Sequence, residues 1–74
     1  MNLKDFFTRL SETDQQAFAK RAGTTIGYLR AHVLPRRKMP RPALMDGLIA
    51  ACQERDPAIT RDQVIQYFYA EVAA

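Results

Sequence analysis

Seven basic residues lie between Lys20 and Arg41 with no acid among them: Lys20, Arg21, Arg30, Arg36, Arg37, Lys38 and Arg41. Residues 1–19 carry two basic and three acidic groups, and residues 42–74 carry two basic and five acidic. The formal charge of +3 therefore conceals segments of −1, +7 and −3. Charge segregated in this way suits a surface that faces a polyanion, with a solvated basic loop as the plainer reading. Catalytic chemistry has little to draw on. There is one histidine, His32, and one cysteine, Cys52. No Cys/His/Asp set has ligand spacing, no triad or carboxylate pair is evident, and no glycine-rich phosphate loop occurs. The expectation is a binding protein with no metal, no cofactor and no small-molecule substrate, rather than an enzyme.

These cations must be placed by a small scaffold. At 74 residues and 47% hydrophobic content the chain has room for one domain, 1–74, with a small core. It has no apolar run near the ~20 residues a membrane span needs and no signal-peptide pattern, and its lone cysteine fits a reducing cytoplasm. Punctuation divides it into five helical segments. Asn2 caps the first, with Met1 and Phe6 spaced as a hydrophobic staple and Leu3, Phe6, Phe7 and Leu10 recurring at helical intervals. Ser11 or Thr13 caps the second, with Asp14 or Gln16 as capping-box partner, and Gly23 ends it. Thr24 or Thr25 starts the third, which stops before Pro35. The stretch Pro35–Pro42 reads as an extended loop. Pro42 opens the fourth helix, with Leu44, Leu48 and Ala51 in one stripe and Met45, Ile49 and Cys52 beside it, and Asp56–Pro57 closes it. Thr60 with Gln63, and Ile59 with Val64, mark the start of a fifth, against the competing strand propensity of Val64–Val72. The fold class expected is an all-α, compact five-helix bundle.

The stretch Gln15-Gln16-Ala17-Phe18-Ala19-Lys20-Arg21-Ala22-Gly23-Thr24-Thr25-Ile26-Gly27-Tyr28-Leu29-Arg30 reads as a helix-turn-helix made by helices two and three. Ala19 is small where the two helices must touch. Gly23 supplies a turn conformation that a β-carbon penalises. Leu29 packs back on helix two. With the basic loop and Arg41-Pro42 that follow, residues 1–55 resemble the phage repressor and Cro family. Gly23 to Arg30 is most similar to small prophage-encoded Cro-like proteins of the YdaS type. The resemblance implies a double-stranded DNA operator as partner, and roles for particular residues. Gln15 would meet a phosphate at the start of helix two. Thr24 and Thr25 would stand at the mouth of the recognition helix, Gly27 and Arg30 would enter the major groove, and Arg36, Arg37, Lys38 and Arg41 would grip the flanking strand. Tyr28 is divided between bonding a phosphate and packing on the loop.

Two readings of the third helix conflict. Periodicity puts Ile26, Leu29 and Val33 in one inward stripe, whereas the family register turns Ile26 towards DNA and His32 inward. The family pattern often has polar, base-reading side chains where this chain has Ile26 and Gly27. Cys52 reads as a core residue and His32 as a partly buried helix residue. Tyr67, Phe68 and Tyr69 read as core or as a dimer surface, with residues 57–74 as a possible homodimer seam. The function expected is repression by operator occupancy. The alternative is an antitoxin or anti-repressor type of protein-interaction module on the same fold.

Overall fold

Side-chain capping starts four of the five helices. In the computed structural model, which describes residues 2–73 with side chains as far as Tyr69, the Asn2 side chain accepts the Asp5 amide at 3.1 Å and opens α1 (Leu3–Thr8). A helix this short has no stability of its own. It persists because Leu3 and Phe7 are fully buried, each burial contributing ~1.5–3 kcal/mol. The staple partner Met1 lies outside the described residues.

Ser11, not Thr13, caps α2 (Glu12–Ala22), accepting the Asp14 amide at 3.2 Å. Acids occupy its first turn and Lys20 and Arg21 its last, each matching the helix dipole. The helix ends as expected at Gly23, with φ 88° and ψ 30°. The Gly23 amide donates to Lys20 O at 3.1 Å and the Thr24 amide to Ala19 O at 2.9 Å. This paired closure needs a left-handed residue at the turn, which glycine adopts without penalty.

Thr25 is the cap of α3 (Ile26–Tyr28), accepting the Tyr28 amide at 3.1 Å. From Leu29 to Val33 the same helix widens into a π turn, sealed by the Leu34 amide on Leu29 O at 2.8 Å. The wide turn brings Leu34 over Leu29, and both are buried together with Val33. Ile26 is half-buried against the core, and His32 stays partly exposed with its ring 5.1 Å from that of Tyr28. Leu29 and Val33 form the inward part of the stripe read from periodicity, with Ile26 at its edge, while His32 is partly buried as read. Ile26 and His32 share the same intermediate burial, so neither is turned fully in or fully out.

After a turn at Leu34–Arg36 the chain extends into α4 (Pro42–Arg55), where Pro42 sits in the first turn, and Asp56 ends it. The reciprocal pair at Thr60 and Gln63 then forms as read. The Thr60 amide donates to Gln63 Oε1 at 2.8 Å and the Gln63 amide to Thr60 Oγ1 at 3.2 Å. This opens α5 (Arg61–Ala73), so helix prevails over strand. Among the described residues there are five helices and no strand, and none of the helices is long and apolar enough to cross a membrane.

The core is shared by all five. Phe18 of α2 meets Phe7 edge-on at 5.6 Å and Phe6 at 6.1 Å. Leu48, Ala51 and Cys52 of α4 and Val64 of α5 are fully buried around them. Desolvation pushes the Cys52 thiol up to about 12, so it stays protonated and packs as a small hydrophobe. The radius of gyration, 11.2 Å, matches the ~11 Å of a single folded unit of this length.

The tightest approach is between α2 and α4. A β-carbon at Gly47 would overlap the main-chain carbonyl of Ala22. Backbone cannot yield as a flexible side chain does. Gly47→Ala should therefore destabilise the fold by about 1–3 kcal/mol in urea unfolding, although Ala is ~1 kcal/mol the better helix former. An alanine variant as stable as the parent would show that α2 and α4 need no such seat.

Candidate nucleic-acid interface

The residues singled out from the sequence gather around α3 and the loop after it, in two groups. The first surrounds the start of α3. Thr24, Tyr28 and Arg41 line one hollow of about 280 Å³ with Gly23 and Leu44. Thr25 is exposed beside it, its hydroxyl oxygen engaged as the α3 cap. Arg41 stands at the head of α4, whose first amides receive no side-chain cap. Gly27 is exposed, and a β-carbon there would meet nothing closer than Thr25 Oγ1 at 4.0 Å. Nothing inside this protein requires glycine at that position.

The second group is built on Gln15 and Arg30. Gln15 is only 8% exposed. Its Nε2 donates to Phe7 O at 3.1 Å, its Oε1 accepts from Arg30 Nη2 at 2.8 Å, and its main-chain amide donates to Ser11 O at 2.8 Å. The amide that the resemblance turned towards a phosphate is spent inside the fold. Its chemical consequence is indirect. It ties α1 to α2 and holds the guanidinium of Arg30, which is otherwise exposed on the π turn.

The basic loop divides. Arg37 and Lys38 are exposed, and both donate their amides to His32 O, at 3.0 and 3.1 Å. Arg36 does not join them. Its backbone is left-handed, with φ 61°, and its guanidinium carbon lies 4.1 Å from the ring centre of Tyr67. Tyr67 is itself only 4% exposed, its hydroxyl donating to Leu34 O at 2.5 Å. The expectation of three equivalent gripping cations thus reduces to two, and Tyr67 is not free for a seam. Tyr69, 48% exposed, is. Val72, also assigned to that surface, lies beyond the described side chains.

Three acids are engaged in ion pairs. Glu54 pairs with Arg21, Asp14 with Arg55 and Asp46 with Arg61. Among the described residues, only Arg21 of the seven tract cations has an acidic partner. The other six have none, and five of them, Arg30, Arg36, Arg37, Lys38 and Arg41, lie on the π turn, the loop after it and the head of α4. Arg36 and Tyr67 could not be paired from sequence, since nothing local links α5 to the loop. Lys4 is a further cation that the motif does not single out, although α1 periodicity sets it and Thr8 beside the buried face.

Gln15→Leu keeps the volume but leaves the buried Phe7 carbonyl without its donor. It should cost about 1–3 kcal/mol of folding stability. Equal stability of parent and variant in denaturant unfolding would remove Gln15 as the tie between α1 and α2.

No family model, curated protein or solved structure matches the chain.

Proposed function

We propose that this protein is a sequence-specific double-stranded DNA-binding regulator of the Cro-like helix-turn-helix kind, acting in the cytoplasm by occupying an operator as a homodimer. One observation carries the reading. Five cations without acidic partners, Arg30, Arg36, Arg37, Lys38 and Arg41, lie on and after a helix whose exposed face opens with Thr25, Gly27 and Tyr28. Such a field attracts DNA through its phosphates, and a helix following a tight turn is the element that enters a major groove. Arg37, Lys38 and Arg41 are free to take phosphates. Arg30, oriented by Gln15, has the geometry to read guanine. A single such helix reads few base pairs, so pairing two copies supplies discrimination. The half-site centres would then lie roughly 34–36 Å apart.

Selection of bound duplexes from a random pool tests the reading. A palindromic motif with that spacing is expected. Recovery of unenriched sequences would reject sequence reading, and a basic protein-binding module would then account for the same surface. Gly27 sharpens the test. Gly27→Ala fills open space and should stabilise the fold by about 0.5–1 kcal/mol, while weakening binding to the selected site where the groove approaches the backbone. A more stable variant that binds the site as well as the parent would take Gly27 out of the interface.

Neutralising Arg37 and Lys38 together should weaken specific and random duplexes alike. It should also flatten the log–log salt dependence by up to about 0.9 for each phosphate that the loop no longer neutralises. An unchanged slope would mean that the loop does not touch the backbone.

A further inference from the structure

We infer that the hollow between α1 and the turn after α3 is a phosphate-binding site, formed by Lys4 with Arg36. The inference rests on the DNA-binding reading for its source of phosphate, a phosphodiester of the backbone. Two adjoining hollows, about 260 and 210 Å³, share Lys4, Leu34 and Pro35 as walls. One continues to Arg36 and Tyr67, the other to Arg30, Gln15 and Thr8. Lys4 thus faces Arg36 across the first hollow, and no acidic side chain lines either one. Water occupies ~30 Å³ per molecule, so each hollow has room for a phosphate group with part of its hydration.

Arg36 supplies the independent observation. Its Nε is buried and has no hydrogen-bond acceptor. Its backbone sits at φ 61°, a region uncommon for residues other than glycine and occupied where surroundings demand it. The ring of Tyr67 holds the guanidinium at the cleft instead of in open solvent. The guanidinium is thus fixed beside a hollow without acids and has no carboxylate partner. Guanidinium and ammonium groups are both suited to phosphate oxygens, the first through its planar fork and the second as a point charge. Lys4 completes the set from α1 and is exposed. Its carbonyl accepts the Thr8 hydroxyl at 2.7 Å, a bond that any residue at position 4 provides.

Lys4→Gln therefore tests the cleft without disturbing the fold, and Arg9→Gln removes an equal charge from the same end of the molecule but outside the cleft. With a random-sequence duplex between about 50 and 200 mM salt, Lys4→Gln should flatten the salt slope by about 0.9 and lower affinity by roughly three- to ten-fold. Arg9→Gln should leave the slope unchanged. Equal effects of the two variants would overturn the cleft while leaving the DNA-binding reading intact. Titration of the full chain with inorganic phosphate, against matched chloride, separates the two sources. Saturable shifts of the Lys4 and Arg36 amide resonances, abolished in Lys4→Gln, are expected. Should the parent bind no duplex, the DNA reading fails. Those shifts would then establish a free-phosphate site, and their absence would overturn the cleft as well.

Discussion

Between Gly47 and the carbonyl of Ala22 there is no space for a single carbon atom, and the placement of the basic surface depends on that approach. Ala22 is the last residue of α2, and Gly23 turns left-handed immediately after it. Seating α2 on α4 at this point fixes where the turn begins and so where α3 departs. Two ion pairs, Arg21 with Glu54 and Arg55 with Asp14, bridge the same two helices. Both are largely solvent-exposed, and such pairs contribute ~0–1 kcal/mol each. Their larger effect is on charge distribution. They engage Glu54 and Asp14 on the α2–α4 side and leave the α3 side positive. Packing and electrostatics are thereby coupled: the two helices that touch carry paired acids, and α3 carries no acid.

The π turn is the second constraint. An ordinary α-helix continuing through Leu29–Val33 would rotate Leu34 away from the stripe of Leu29 and Val33. The wider turn keeps all three buried and delivers Arg30 to the Gln15 side chain. Such turns are rare and occur frequently at functional sites. Here the turn gives apolar burial on one face and a basic side chain held in one orientation on the other. A pre-oriented arginine loses less freedom on meeting a partner than a free one does.

The local chemistry of this fold was legible in the sequence. Asn2, Gly23 and the Thr60–Gln63 pair act within one turn of their own positions, so spacing alone identifies them. The stripe Leu44, Leu48, Ala51 was legible for the same reason, as one face of one helix. What escaped depends on distance in the chain. Gln15 and Arg30 are fifteen residues apart, and Tyr67 and Leu34 thirty-three. Each bond exists only once helices are packed, and no periodicity encodes it. The resemblance placed Gln15 at the right end of the right helix but turned its amide outwards. The nearby Phe7 carbonyl and Arg30 guanidinium compete for that amide, and burial decides in their favour. Ile26 lies between the two readings, half-buried at the edge of the stripe of Leu29 and Val33.

α5 connects this architecture to the loop. Its Tyr67 reaches the loop twice, by a hydrogen bond to Leu34 and by stacking beneath Arg36. The hydroxyl satisfies a carbonyl at the end of the π turn, where helical acceptors run out. The ring meanwhile sets Arg36 apart from Arg37 and Lys38, beside Lys4. A helix outside the recognition unit thus determines where one of the basic side chains is presented. Any change in the packing of α5, from a second copy docking near Tyr69 or from truncation of Val64 or Phe68, acts on Leu34 and Arg36 through one side chain. The carboxy-terminal segment and the basic surface are in this sense a single mechanical unit, joined at Tyr67.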